Sequence, residues 1–208
     1  MLEEIIEWDK ELFLFLNGKH TDWLDPVMLV LSSYWNWIVV CLIIIVMIFF
    51  KGRVKNILAT LFFLFSVGVS AFITNLVKFI VQRPRPIHSY WDSAIHAIEK
   101  DSDSYSFFSS HSATAFAMSV FFLLFYRVNK VYGWIALVWA TLVAYSRIYV
   151  AKHYPLDVIC GIICGVVIGV AGYKVFAHYE EKEREFLARS PYDNDEYFCK
   201  KDINNTNK

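Results

Sequence analysis

Long charge-free runs alternate with short charged clusters along most of the chain. No Asp, Glu, Lys or Arg occurs from Pro26 to Phe50 or from Asn56 to Val77, and each run exceeds the roughly 18 residues that mark a bilayer-spanning helix. The runs Ser112 to Tyr126, Val131 to Ser146 and Val158 to Tyr173 are shorter, but Arg127, Lys130 and Lys174 at their ends can snorkel to the headgroups and lengthen the usable span. The pattern predicts an all-α, integral-membrane helical bundle of about five transmembrane helices. Ahead of it, "EEIIEWDKELFLFLNG" sets Ile5, Ile6, Leu12, Phe13 and Leu16 among charges, the arrangement of an amphipathic helix lying in the membrane interface. Gly161, Gly165 and Gly169 recur every fourth position in the last run, a spacing that lets helix backbones approach closely.

Five spans place the chain ends on opposite sides of the membrane and sort the connections. Residues 51 to 55, residues 127 to 130 and the C-terminal tail fall on one side; residues 78 to 111 and 146 to 157 fall on the other. Lys51, Arg53, Lys55, Arg127, Lys130, Lys174, Lys182 and Arg184 mark the first side as cytoplasmic by the positive-inside rule. The opposite side also carries cations, namely Lys78, Arg83, Arg85, Lys100, Arg147 and Lys152. Those need a purpose other than topology.

Composition agrees with lipid as the solvent: 57% of the 208 residues are hydrophobic and 18% aromatic. Twenty basic residues balance twenty acidic ones, and no basic stripe carries interleaved aromatics, so no nucleic-acid partner is expected. Cys41, Cys160 and Cys164 lie inside apolar runs and Cys199 in the polar tail, which suggests neither a disulfide framework nor a zinc site. The start, Met1, Leu2, Glu3, Glu4, has no cationic stretch of the signal-peptide kind. The tail from Glu180 is too polar to bury and is expected to be disordered beyond about Ser190.

Three stretches on the proposed outer side carry the chemistry: "KFIVQRPRP", "FFSSHSA" and "SRIYVAKHYPLD". They gather Lys78, Arg85 and Arg147 as cations, Ser109 and Ser110 as short donors, and His111, His153 and Asp157 as proton-handling groups. Charges at the ends of apolar segments cost free energy unless paired or solvated, and in a membrane protein they point to function. Three cations together call for an anion. Arginine forks suit phosphate oxygens, lysine adds a point charge, and N–H groups where a helix starts near Ser112 complete a cradle. Two histidines beside a phosphoryl group can divide the work, one attacking phosphorus and the other protonating the departing oxygen. Asp157, four residues after His153, is placed to fix the tautomer of that ring and to stabilise the cation formed on it. Pro155 suits the first turn of a helix beginning there. This chemistry requires no metal and no cofactor.

Taken together these residues resemble the type 2 phosphatidic acid phosphatase (PAP2) superfamily, whose three motifs run K-x6-R-P, P-S-G-H and S-R-x5-H-x3-D. Lys78, Arg85 and Pro86 match the first; Ser146, Arg147, His153 and Asp157 match the third at full spacing. In the second, Phe108 stands for the family's Pro and Ser110 for its Gly, leaving Ser109 and His111 as matches. The resemblance implies that His153 is the nucleophile, His111 the leaving-group acid, and Lys78, Arg85, Ser109 and Arg147 the phosphate binders, with the N–H of Ser110 contributing. It implies an interfacial helix over residues 1–22, a transmembrane catalytic domain over 23–179 and a polar tail over 180–208. It further implies a lipid phosphate or diphosphate substrate, of the undecaprenyl diphosphate, phosphatidylglycerol phosphate or lipid A kind, at the bacterial inner membrane with the site facing the periplasm. A non-catalytic lipid-phosphate binder or transporter would keep the cations but has no need of His153 and Asp157. Arg83, His88, His96 and Lys152, which no motif uses, read as solvated loop residues.

Overall fold

The computed structural model of the protein describes residues 1–50, 55–88, 95–99, 104–126 and 130–189. These residues form seven α-helices, α1 (Leu2–Asn17), α2 (Asp25–Ser32), α3 (Tyr34–Phe50), α4 (Lys55–Val81), α5 (Ser110–Phe125), α6 (Lys130–Tyr149) and α7 (Pro155–Arg189), with one turn of 3-10 helix at Pro86–His88 and, among the described residues, no strand. The cations Lys51, Arg53, Lys100 and Arg127 and the tail from residue 190, with Cys199, lie outside the described residues. Residues Met1–Tyr173 make one compact unit, so α1 belongs to the same unit as the apolar helices. The second unit, Lys174–Lys208, is described to Arg189 and carries an Arg184–Glu180 ion pair at 3.4 Å.

Many large apolar side chains face outward while small hydroxyl residues lie between helices. Ser66, Ser70, Thr74, Ser119 and Ser146 are buried, while Leu42, Phe65, Phe72, Ile163 and Val167 stand exposed. Apolar side chains outside and small hydroxyl residues between helices are what a bilayer solvent selects, because lipid gives no drive to bury leucine. All five apolar runs of the sequence are helical. The segments Asn56–His88, Lys130–Tyr149 and Pro155–Phe186 are each long and apolar enough to cross a membrane, the bent pair α2 and α3 makes a fourth if taken as one span, and Ser110–Phe125 is a shorter apolar helix. That short helix needs no more length, since residues 111 to 115 and 117 to 122 are buried in protein, and it packs between α4 and α6.

The run Pro26 to Phe50, expected as one span, is broken. The axis turns 61° between α2 and α3. Ser33 is extended, at φ −76° and ψ 147°; its hydroxyl donates to the Val30 carbonyl at 2.8 Å and accepts from the Asn36 N–H at 3.3 Å. A serine that ends one helix and caps the next can hold such a break. The break serves the site, as the freed Ser32 carbonyl shows below.

The glycine spacing of α7 is a packing device within the chain, directed at α5. A Cβ at Gly161 would lie 2.7 Å from the Ser109 carbonyl oxygen, one at Gly169 would lie 2.7 Å from that of Ala117, and one at Gly165 would collide with that of Ala113. Of the apolar residues of α1, Phe13 is buried and Leu16 half-buried against the bundle, while Ile5 and Ile6 are exposed. The residues it buries with Phe13 are Asp9 and Asn17, which share that face at four-residue intervals. Asn17 donates to the carbonyls of Ile148 at 3.2 Å and Tyr149 at 2.8 Å at the end of α6.

Candidate active site

Three chain reversals on one side of the bundle build the site. At the end of α4, Gln82 takes the left-handed conformation, φ 51°, and its N–H donates to the Lys78 carbonyl at 3.0 Å; Pro84 and Pro86 then prevent the helix from resuming. At the end of α6, Ala151 is left-handed, φ 59°, and the N–H groups of Lys152 and His153 both donate to the Arg147 carbonyl, at 3.0 and 3.1 Å. This folds His153 back over Arg147. The third segment enters α5, where the Ser109 N–H donates to the Asp157 carbonyl at 3.0 Å and the Ser106 N–H to that of Arg83 at 2.8 Å. Backbone hydrogen bonds thus tie together three stretches that lie far apart in sequence.

Between them lies a cavity of about 370 Å³, lined by Lys78, Arg85, Ser110, His111, Arg147 and His153, with Tyr34 and Trp37 of α3, Thr74 and Asn75 of α4, and Glu99 and Ser104 from the connection between α4 and α5. Arg85 is buried and oriented by Ser104, whose carbonyl it reaches from Nε at 2.6 Å and whose hydroxyl it reaches from Nη2 at 2.5 Å, and by the Lys152 carbonyl at 3.3 Å from Nη1. Arg147 is buried, and its Nη1 donates to the Ser32 carbonyl at 2.9 Å and to the Ser32 hydroxyl. Among the described residues its Nε has no hydrogen-bond partner, and neither does Nε2 of buried His111. Tyr34 packs against the His111 ring, centroids 4.8 Å apart.

The two residues expected here that do not line the cavity are Ser109 and Asp157. Ser109 is the N-cap of α5: its hydroxyl oxygen accepts from the Ser112 N–H at 3.4 Å and from the Ser112 hydroxyl at 2.9 Å. α5 therefore begins at Ser110, two residues before the Ser112 start that the sequence suggested, and Ser110 is the serine on the cavity wall. Asp157 stands behind His153. Its Oδ2 is 3.7 Å from His153 Nδ1, beyond hydrogen-bond length, because that oxygen already accepts from the Tyr154 N–H at 3.0 Å and from the Ser106 hydroxyl. Ser106 Oγ also lies 3.5 Å from Nδ1. With its own proton on Asp157, Ser106 offers Nδ1 an acceptor, which favours the tautomer with Nδ1 protonated and the Nε2 lone pair free. Burial pushes His153 down to about 3, against the opposing pull of Asp157 and with Arg147 and Arg85 adding to the depression, so the ring is neutral at neutral pH.

Sequence reasoning missed Ser106, Glu99 and the whole far side of Asp157. Glu99 enters the cavity with Oε2 2.5 Å from the Ser32 hydroxyl and 3.4 Å from Arg147 Nη1, and Oε1 3.8 Å from Lys152 Nζ. Three of the four residues read as solvated are not. Lys152 is buried to 2% exposure, because the Ala151 turn points it inward toward Glu99. His96 stacks on His20, centroids 3.8 Å apart, and bonds Asp25 at 2.9 Å. Arg83 joins two buried carboxylates, Asp9 and Asp157. His88 is exposed. Among the described residues no group of three or more His, Cys, Asp or Glu side chains is placed to hold a metal ion.

Comparison with known proteins places the chain in a family. Over 184 residues, 85% of this chain and 76% of the relative, the sequence is 30% identical to a lipid A 4'-phosphatase of Porphyromonas gingivalis. Over 163 residues, 76% of this chain and 74% of the relative, it is 30% identical to an undecaprenyl-diphosphatase of Sulfolobus acidocaldarius. The fold matches the crystal structure of Aquifex aeolicus LpxE with a TM-score of 0.65 at 23% identity, covering 79% of this chain and 93% of that one. Residues 59–180, which hold all three site-building reversals, match the PAP2 superfamily, and the chain is a member of that family of membrane phosphatases.

Proposed function

We propose that the protein hydrolyses a phosphomonoester or diphosphate on a membrane lipid through a phosphohistidine intermediate. One observation carries this reading: a buried histidine, His153, lines the same cavity as Lys78, Arg85, Arg147 and a second histidine. Nε2 of His153 attacks phosphorus and forms the N–P bond as the P–O bond to the lipid breaks. His111, from its position at the start of α5, gives that departing oxygen its proton. Arg85, Arg147 and Lys78 take the charge that builds on the non-bridging oxygens, with N–H groups of the first turn of α5 and the Ser110 hydroxyl beside them. Asp157, behind the ring, favours the positive charge that N–P bond formation places on it. Water then attacks phosphorus, His111 takes the water proton, and phosphate leaves with His153 restored. Every role is filled by a side chain or N–H of this chain, so the reaction runs without a metal ion.

The lipid A 4'-phosphatase and undecaprenyl-diphosphatase relatives, and the placing of the site at helix ends within reach of headgroups, support a lipid of the lipid A, undecaprenyl diphosphate or phosphatidylglycerol phosphate kind. The basic connections at residues 51 to 55 and 127 to 130 support an inner-membrane protein with its site on the periplasmic side. The test is phosphate release by purified protein in detergent from a panel of these three lipid classes, with and without chelator. Release that persists in chelator, is blocked by orthovanadate and is lost in His153→Asn is expected; no release from any lipid, or full loss in chelator restored by a divalent ion, overturns the reading.

A further inference from the structure

A charged face on α1 has no place in the reaction just described, yet it reaches the catalytic pair. Asp9 is 3% exposed, on the face of α1 that packs against the bundle with Phe13 and Asn17. A carboxylate pays heavily for burial unless it is fully bonded. Both of its oxygens are used: Oδ1 accepts the Leu156 N–H at 2.8 Å, and Oδ2 takes Arg83 Nη2 at 2.7 Å. The first contact ties α1 to the first turn of α7, where N–H groups have no helical partner. The second continues through the guanidinium, whose Nη1 reaches Asp157 Oδ1 at 2.6 Å and whose carbon lies 4.1 Å from the centre of the Tyr154 ring.

We infer that Asp9 and Arg83 are positioning residues of the active site: through them α1 fixes the carboxylate of Asp157 behind His153. The inference rests on the phosphohistidine reading above. Asp157 has two oxygens with separate duties. Oδ2, with Ser106, faces the histidine ring; Oδ1 is held by Arg83. Were Oδ1 left without a partner in this buried place, only the Tyr154 N–H and the Ser106 hydroxyl on Oδ2 would hold the carboxylate behind the ring. The fork geometry of arginine, with two separate N–H groups for two carboxylates, does what a lysine cannot. Charge points the same way. One guanidinium between two carboxylates leaves a net negative cluster beside His153, the sign that favours a ring becoming cationic as the N–P bond forms.

A double-mutant cycle separates positioning from general structural support. Asp9→Asn keeps the shape and the acceptor for Leu156 but removes the carboxylate charge that faces Arg83. In the wild-type background it should lower kcat about tenfold or more with KM within about twofold; in the Asp157→Asn background, measured by single turnover, the further loss should be under about twofold, because the carboxylate it positions is gone. Arg83→Lys should retain more activity than Arg83→Met and serves as the second variant where Asp9→Asn does not yield folded protein. An equal cost of Asp9→Asn in both backgrounds, or an effect on KM alone, overturns the inference. Histidine-labelled NMR supplies a reading that does not depend on turnover: the His153 ring nitrogens, assigned by difference with His153→Asn, should shift in Asp9→Asn. Unchanged resonances in folded protein overturn the inference even if no lipid is hydrolysed, whereas an inactive wild type with shifted resonances overturns only the reaction assigned to the site.

Discussion

Arg83 and Arg147 flank the proposed catalytic pair His153 and Asp157 on two faces and are bonded in opposite ways. Behind Asp157, Arg83 is completed by the protein, with a carboxylate on each terminal nitrogen at 2.6 and 2.7 Å and an aromatic ring beneath it. In the cavity, Arg147 donates to Ser32 and approaches one carboxylate, Glu99, at 3.4 Å, while among the described residues its Nε has no hydrogen-bond partner. Both are arginines next to a buried histidine. The difference lies in what each still lacks. A cation whose charge is spent on two carboxylates holds its neighbours still; a buried cation with fewer partners on a cavity wall is suited to take an anion, the role proposed above for Arg147.

The largest effects should come from the open face. His153→Asn removes the nucleophile and should cost about 10³-fold or more in kcat, read as phosphate release against a folded control. Arg147→Lys keeps the charge but not the fork and should cost about 10²-fold; if it were as mild as a change on a solvated loop, the open donor at Nε would have no part in binding. The two adjacent serines sharpen the contrast further. Ser110→Ala, on the cavity wall, should cost about tenfold in kcat/KM, whereas Ser109→Ala removes a helix cap and should cost about 1 kcal/mol of stability with kcat little changed. The reverse outcome would move the phosphate contact to Ser109, where the family motif alone would put it.

Two smaller effects test the frame that holds the faces together. Gly165→Ala places a methyl group against the Ala113 carbonyl and should lower thermal stability by about 1–3 kcal/mol; a neutral result would mean that α5 and α7 are less closely packed than their backbones indicate. The depressed pKa of His153 fixes the sign of its pH dependence. Because its value is lowered to about 3, the attacking lone pair is present throughout the neutral range and is lost only as pH falls toward that value. NMR should find no titration of His153 between about pH 5 and 8; a midpoint near the ordinary value of about 6.5 would show the ring to be hydrated rather than enclosed.

How the two faces are assembled was only partly legible beforehand. Lys78, Arg85, His111, Arg147 and His153 all follow from motif spacing and all line the cavity, because each lies within a few residues of a helix end and helix ends are set by local signals: Pro84, Pro86 and Pro155 in the chain, and the serine cap before α5. Ser109 and Ser110 show the limit of such reasoning. Which of two neighbouring hydroxyls faces a ligand depends on the residue at which a helix starts, and a two-residue change in that start turns the helix by roughly 200°.

By itself the sequence determined that the chain is helical, that lipid surrounds it, and that the residues of the three motifs lie at the ends of apolar helices, since periodicity, hydropathy and motif spacing are local properties that survive any arrangement of the helices. Only the tertiary structure decided that the first apolar run breaks at Ser33 to hand the Ser32 carbonyl to Arg147. It also decided that α1 buries Asp9 and that Arg83 is the link from that carboxylate to Asp157. Asp9 and Arg83 are 74 residues apart, as are Arg83 and Asp157. A contact of that kind has no periodicity and no motif; it exists because two buried carboxylates and one guanidinium can each afford to leave water only in the presence of the others.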